Sequence, residues 1–143
     1  MHSLKYTRFS AISGITPTGK LYFQLTLESI KGPHIVKFLK HLLRHIKGKV
    51  VILWDNIPTH RSKVVKEFVY KHRKRLFVFF TPPYAPEYNP DEGVWNQIKY
   101  NYMANFCPRD EIDLKKEIRN SVIKLRGRTK IIQGFFRRSP LNL

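Results

Sequence analysis

Two acidic residues stand where the chain is predicted to build a phosphoryl-transfer site. Asp55 directly follows the apolar run 50–54, and Glu92 opens a helical pattern after a proline-rich loop. An amphipathic segment and a second apolar run, 76–80, lie between them, which predicts a strand, a crossover helix and a parallel strand. Because a crossover brings the carboxyl ends of both strands to one edge of the sheet, we expect Asp55 and Glu92 to meet there.

Paired carboxylates are the ligands that a hard divalent cation requires. Mg²⁺ takes one or two carboxylates and keeps its other positions for water and phosphate oxygens. Two such ions about 4 Å apart activate the attacking oxygen and stabilise the leaving one. The sequence therefore predicts that Asp55 and Glu92 are metal ligands for Mg²⁺ or Mn²⁺ and act on phosphodiesters.

Each of these residues also has a structural interpretation. If Asn89 is the N-cap and Pro90 the first helical residue, Glu92 is the third, where a capping box places glutamate. Asp55 fits a turn of the type Asp-Asn-x-Pro. His60, five residues after Asp55, either orients a metal ligand or phosphate or simply opens the crossover helix.

The charge of the chain indicates a polyanionic partner. Lysine and arginine number 27 against 10 acids in 143 residues, which gives a net charge of +17. An excess of this size favours nucleic acid, and a basic protein without a polyanion is the alternative. The single cysteine, Cys107, excludes an internal disulfide, and no apolar run approaches the ~20 residues that span a bilayer. These features predict a cytoplasmic protein with no membrane contact.

The first half of the chain predicts a hairpin, a helix and the strand that ends at Asp55. Residues 6–15 and 21–28 read as the two hairpin strands, with 16–19 as the turn and one face on the core. Pro33 opens a helix that Gly48 ends. The unbroken apolar character of 50–54 predicts a strand covered on both faces. The crossover helix is expected over 62–73, with Val64, Val65, Phe68 and Val69 facing inward.

The second half predicts two further helices and a basic tail. Three prolines stiffen the loop 81–86, and the helix after it buries Val94, Trp95, Ile98 and Tyr102. A second helix is expected over 110–126, with acids in its first turn. Its inward residues are expected to be Ile112, Ile118, Val122 and Leu125. Residues 128–138 read as a basic, aromatic tail, and the whole of 1–143 as a single domain.

Two long motifs resemble a known family. VVILWDNIPTHRS and TPPYAPEYNPDEGVWNQIK are similar to the second and third acidic motifs of mariner-like DDE transposases, specifically the bacterial insertion-sequence branch. Residues 56–91, 36 in number, separate the two acids, which is close to the usual interval in that family. The resemblance covers nearly the whole chain.

The resemblance implies an RNase H-like fold, a mixed five-stranded sheet with helices on both faces. It also implies Mg²⁺-dependent cleavage of DNA at transposon ends, followed by strand transfer into target DNA. Asp55 would be the second metal-binding acid and Glu92 the third, and both would be catalytic. Asp91 stands where relatives have an apolar residue, so we expect it to be a spectator or to support its neighbour.

The chain departs from the family pattern at its start. Relatives carry a first aspartate on the central strand, upstream of the hairpin, whereas the only acid before Asp55 is Glu28. We therefore expect the catalytic domain to lack that strand and to be incomplete at its N-terminus. Three alternatives remain open: an upstream segment supplies the strand in a split transposase, another chain completes the sheet, or the hairpin pairs directly with the Asp55 strand.

The sequence thus predicts a DDE transposase catalytic domain that is impaired alone because the first acid is missing. Its partners would be DNA and either a second copy or an upstream transposase segment. A non-catalytic DNA-binding or transposase-associated module is the first alternative. Another RNase H-like nuclease, such as a junction resolvase, is the second.

Overall fold

A computed structural model describes residues 9–83 and 89–140 and shows a mixed α/β protein. The chain forms two compact units, Met1–Ser29 with Pro90–Leu143, and Ile30–Asn89. We call the first the hairpin unit and the second the α/β unit. The strands are β1 (Ser10–Ile15), β2 (Leu21–Thr26), β3 (Val50–Trp54) and β4 (Leu76–Phe80). The α-helices are α1 (Gly32–His45), α2 (Lys63–Lys71), α3 (Glu92–Gln97), α4 (Glu111–Arg126) and α5 (Thr129–Arg137).

The α/β unit contains the predicted strand, crossover and parallel strand. β3 pairs with β4 in parallel, from Val50 opposite Leu76 to Trp54 opposite Phe80. A short 3₁₀-helix, Pro58–Arg61, leads from Asp55 into α2. The strand–helix–strand prediction is confirmed, and it places Asp55 directly after the last residue of β3.

The prediction that β3 is covered on both faces is wrong. Val50 is buried, but Val51 is 63% exposed and Leu53 40% exposed, so one face of the strand is open. Phe79, opposite Leu53, is exposed on the same face. An unbroken apolar run has no period of its own, so it does not reveal whether one face or two are covered.

The inner side of the α/β unit is built from α1, α2 and alternate strand positions. Its buried apolar side chains are Ile35, Phe38, Leu39, Leu42, Val50, Val65, Phe68 and Leu76. Val64, predicted to face inward with Val65, is 39% exposed, so that part of the prediction is wrong. The lysines and arginines of both helices are exposed.

The hairpin unit begins with the predicted antiparallel pair. β1 and β2 pair from Ser10 opposite Thr26 to Ile15 opposite Leu21. Gly19 has a φ of 95°, and its N–H donates to the carbonyl of Thr16 to close the turn. Glycine reaches this left-handed backbone without steric cost. Both strands are shorter than predicted, and Tyr6 lies outside the described residues.

Helices α3, α4 and α5 supply most of the core of the hairpin unit. The buried cluster consists of Leu21, Val94, Ile98, Val122, Leu125, Ile132 and Phe135. α4 matches its predicted range, and Asp110 caps it by accepting a 2.8 Å hydrogen bond from the Asp113 N–H. Ile112, predicted to face inward, is 79% exposed instead.

The stretch 128–138 is not only a basic tail. Residues Thr129–Arg137 form α5, which buries Ile132, Phe135 and Phe136. These three apolar residues follow a helical spacing. The four lysines and arginines in 128–138 led to the interpretation of the stretch as a tail instead. The C-terminal end of the described chain is therefore part of the core.

The four described strands form two separate two-stranded sheets, β1–β2 and β3–β4. The three arrangements expected for completing the sheet of β3, direct pairing with the hairpin among them, stay predictions. None of the described helices has the length and apolar character needed to cross a membrane.

Candidate active site

Asp55 is held at the carboxyl end of β3 by a side-chain amide. Asn89 Nδ2 donates a 2.8 Å hydrogen bond to Asp55 Oδ1 within the α/β unit. The carboxylate is half-buried. A neutral amide fixes the direction of the carboxylate without adding charge, and the carboxylate keeps lone pairs for a cation. The predicted residue Asp55 is thus oriented and remains able to bind.

The predicted capping arrangement around Asn89 is wrong. α3 begins at Glu92, and its N-cap is Asp91 rather than Asn89. Glu92 is therefore the first helical residue and not the third, which removes the capping-box interpretation of this glutamate. The Asn89 side-chain amide donates a hydrogen bond to the Asp55 carboxylate.

His60 supports the backbone at Asp55. Its Nδ1 lies 2.6 Å from the Asp55 carbonyl oxygen, and its ring stacks on Trp54 at 4.3 Å between centroids, with 10° between planes. Because a carbonyl oxygen only accepts, Nδ1 carries the proton in this contact. His60 therefore ties the 3₁₀-helix to the residue that follows β3, a contact that fits both the orienting and the helix-entry interpretation.

The environment of His60 favours the neutral ring. Burial lowers its pKa below the ordinary 6.5, while the hydrogen bond to the Asp55 carbonyl and the Asp55 charge oppose the decrease. Desolvation disfavours the charged form of a histidine, and here it outweighs the attraction of the carboxylate. With Nδ1 protonated, the neutral ring leaves Nε2 as an acceptor.

Glu92 occupies the first turn of α3 in the hairpin unit. Its side chain is exposed, and the helix N-terminus favours a negative charge at this position. α3 continues into a π-helical turn, Ile98–Tyr102, whose first residue is buried in the core. Trp95, predicted to anchor this helix, packs against the core and lies 5.5 Å from the Phe23 ring.

The neighbouring acid, Asp91, connects α3 to the hairpin. Ser13 Oγ on β1 donates a 2.6 Å hydrogen bond to Asp91 Oδ2. This contact joins residues 78 positions apart and fixes the start of α3 on the hairpin. Asp91 therefore anchors the start of α3 on β1, and whether it supports Glu92 or is a spectator stays a prediction.

A close backbone approach fixes the start of α3 from the other side. A methyl group placed on Gly93 would lie 2.5 Å from Phe135 Cδ1 and 2.6 Å from Cγ. A Cβ atom does not fit at that distance. Glycine at position 93 therefore allows the backbone of α3 to pack directly against the Phe135 ring of α5. Sequence reasoning missed this support because it did not recognise α5, although Ile132, Phe135 and Phe136 carry the helical period.

The meeting of Asp55 and Glu92 stays a prediction, because the first belongs to the α/β unit and the second to the hairpin unit. Within the described residues, no group of three or more histidine, cysteine, aspartate or glutamate side chains is placed to hold a metal ion. Residues 84–88, part of the proline-rich loop predicted to be stiff, lie outside the described residues.

Residues 3–115 match the family of DDE superfamily endonucleases. The chain belongs to this family. The match includes both Asp55 and Glu92 and ends within α4. Among curated proteins no relative matches the chain at a significant level.

Solved structures with the same fold are transposase catalytic domains. The Mos1 transposase catalytic domain with raltegravir and Mg is 16% identical and has a TM-score of 0.66, over 90% of this chain and 70% of that one. The Mos1 mariner transposase catalytic domain is 14% identical with a TM-score of 0.66, over 96% and 80%. A third, with raltegravir and Mn, is 14% identical with a TM-score of 0.62, over 96% and 81%. The predicted RNase H-like α/β fold is confirmed by these likenesses.

Proposed function

We propose that this chain is the catalytic domain of a DDE transposase of the bacterial insertion-sequence branch, and that it cleaves DNA and joins DNA strands. The carrying observation is the support of Asp55, which is held at its carboxylate by Asn89 and at its carbonyl by His60. Such support is what a positioned metal ligand requires. Membership of the DDE superfamily endonucleases gives the reaction class.

The residues present fit Mg²⁺ or Mn²⁺. Asp55 and Glu92 offer carboxylate oxygens, which are hard ligands. The Asn89 amide orients the Asp55 carboxylate but is neutral, so it leaves the negative charge of Asp55 for the metal ion. The Mos1 domains of the same fold were solved with Mg and with Mn. When bound, the metal would offset charge on the phosphate and lower the pKa of the attacking water or hydroxyl.

The chain itself supplies position and charge. Asn89 and His60 orient Asp55, while Ser13 and the α5 ring of Phe135 fix the start of the helix that carries Glu92. The net charge of +17 provides lysines and arginines to hold phosphodiesters. In this proposal the substrate is DNA, as transposon end and as target.

A first acid and a further strand would complete this site. Among the described residues β3 pairs only with β4, so its other edge offers unpaired backbone groups, and the adjacent face carries the exposed Val51 and Leu53. We propose that an upstream segment of the transposase adds a strand there and contributes the acid; a second copy of the chain could complete the sheet but carries no such acid. Alone, the chain would hold metal weakly.

A non-catalytic module that binds DNA beside a full transposase is the second candidate. It is favoured by the lack of a three-acid cluster in the described residues. The two candidates differ in what the carboxylates do. A catalytic domain needs both for metal-dependent cleavage, whereas a binding module needs neither.

Calorimetric titration with Mn²⁺ or Mg²⁺ tests the catalytic proposal on wild type, Asp55→Asn and Glu92→Gln. We expect the chain alone to bind metal weakly and both variants to lose that binding. With the upstream coding segment added, we expect metal-dependent nicking of supercoiled DNA that both variants abolish while DNA binding persists. Glu111→Gln, on the first turn of α4, is the matched control. If the wild type binds metal and nicks DNA no better than the variants, with or without the upstream coding segment, the chain is a binding module.

A further inference from the structure

A groove lies between α1 and α2 in the α/β unit. It has a volume of about 600 Å³. Its floor is apolar and includes Val36, Leu43, Val64 and Phe68, which follow helical spacing along the two facing helices. Neither the acids of the proposed active site nor their supporting residues line it.

The walls of the groove carry mostly positive charge. Lys40 and Arg44 come from α1, and Lys71 and Arg75 come from the end of α2 and the turn after it. The one acid on the wall, Glu67, lies 3.9 Å from Lys63 in an exposed i, i+4 pair. Four cations therefore face one acid that already has a positive neighbour.

Three of these cations are available to a ligand. Arg75 donates to the carbonyls of Gly48 and Ile46 and so belongs to the fold. Lys40, Arg44 and Lys71 are exposed, and within the described residues no hydrogen bond or ion pair engages them. Lys40 and Arg44 lie one helical turn apart, about 6 Å along the axis, on the same face of α1.

The basic end of the groove lies far from Asp55. Arg75 directly precedes β4, whose first residue pairs with Val50, whereas Asp55 follows the last residue of β3. At about 3.3 Å per residue, the length of β3 places the two ends roughly 16 Å apart. A ligand at Arg44 and Lys71 therefore occupies a place separate from the proposed metal site.

We propose that the α1–α2 groove binds the sugar–phosphate backbone of DNA, outside the segment being cleaved. Unpaired cations on two neighbouring helices suit a line of phosphates, which are contacted without reading sequence. This inference rests on the proposed function only for the choice of DNA as the polyanion. An acidic protein is the other partner of the same charge, and the experiment separates the two.

The test neutralises the groove in the full chain. We compare Lys40→Gln/Arg44→Gln/Lys71→Gln with a matched triple, Lys116→Gln/Arg119→Gln/Lys130→Gln, which changes three exposed cations of the hairpin unit by the same total charge. Circular dichroism and thermal melting check that both triples fold. Anisotropy with a labelled 20-bp duplex is measured in EDTA between 50 and 200 mM salt.

The groove triple is expected to bind DNA at least about tenfold more weakly at 100 mM salt. It should also lower the slope of log K against log salt by between two and three, since each lost phosphate contact removes about 0.9. The control triple should change both quantities less. Equal losses in the two triples, no loss in the groove triple, or a loss of poly-glutamate binding with DNA binding intact would each overturn the proposal.

Because DNA binding is measured in EDTA, the test of the groove is independent of the test of metal-dependent cleavage. DNA binding without metal does not depend on Asp55 or Glu92, so a chain that fails to nick DNA can still show the groove effect. Conversely, a groove triple that binds like the control leaves metal-dependent nicking untouched.

Discussion

The Asn89 amide donates a 2.8 Å hydrogen bond to the Asp55 carboxylate across 34 positions of the chain. Both residues lie in the motifs that define the candidate active site. The sequence does not predict the contact between them. A side chain that orients a metal ligand typically changes metal affinity when it is removed. The contact therefore leads to a direct test of the role of Asp55.

Asn89→Ala is expected to weaken Mn²⁺ binding by about 10- to 100-fold, because the Asp55 carboxylate loses the donor that fixes its direction. Calorimetry measures the affinity, and anisotropy in EDTA should show unchanged DNA binding. Asn96→Ala, an exposed asparagine on α3, is the matched control and should bind metal as the wild type does. Equal affinities for Asn89→Ala and the control would mean that the amide does not position a ligand.

The pKa of His60 predicts a pH-dependent stability. Burial lowers this pKa below 6.5, so between the folded and unfolded pKa values the unfolded chain binds more protons. The contribution of His60 is therefore fully present above pH 6.5 and is lost as the pH falls through the folded pKa. An NMR titration of the His60 ring proton should show a midpoint below 6.5.

His60→Asn is the control for this titration, because its amide can donate to the Asp55 carbonyl but does not titrate in this range. The melting temperature of the wild type should fall more steeply than that of His60→Asn between pH 7.5 and 5.5. Parallel curves for the two proteins would show that protonation of His60 does not limit stability.

The elements of this fold were predictable where one period dominates the sequence. The alternation of 21–28 and the apolar runs 50–54 and 76–80 predicted three strands, of which the first ends two residues early, at Thr26. The period failed at α5, where dense positive charge surrounds three core residues, and at β3, where a continuous apolar run was wrongly interpreted as covered on both faces.

Local sequence patterns identified some residues of the candidate site, whereas only tertiary contacts identified others. Asp55 and Glu92 stand out because local patterns place them at the end of a strand and the start of a helix. The residues that support them do not stand out in the sequence. Asn89 contacts Asp55 across 34 positions, and Phe135, on a helix distant in sequence, contacts Gly93. Contacts of this kind depend on tertiary packing, which no local periodicity encodes.

Gly93→Ala tests the close approach of α3 to α5. The added methyl would lie 2.5 to 2.9 Å from three carbons of the buried Phe135 ring, so the ring or the helix must move. Overpacking of this kind costs about 1–3 kcal/mol, and urea denaturation measures it. Because Glu92 is the adjacent residue, the displacement should also reduce any metal-dependent nicking.

Gly134→Ala is the matched control on α5. A methyl there would meet only Arg137 Nη2, at 3.8 Å, so alanine should raise stability by up to about 1 kcal/mol through its helix propensity. If Gly93→Ala is as stable as Gly134→Ala, the Phe135 ring yields without cost and the proposed support of Glu92 is wrong.

Arg75 ties the turn between α1 and β3 to the start of β4. Its Nε donates a 2.7 Å hydrogen bond to the Gly48 carbonyl, and its Nη2 donates to the Ile46 carbonyl at the C-cap of α1. Lysine keeps the charge but does not reproduce two hydrogen bonds in a fixed fork. Arg75→Lys is therefore expected to lower the free energy of unfolding by about 1.5–3 kcal/mol, the usual value for a hydrogen bond from a charged group. Urea denaturation beside Arg119→Lys, an exposed arginine on α4, measures the difference, and equal midpoints would show that the two carbonyls find water instead.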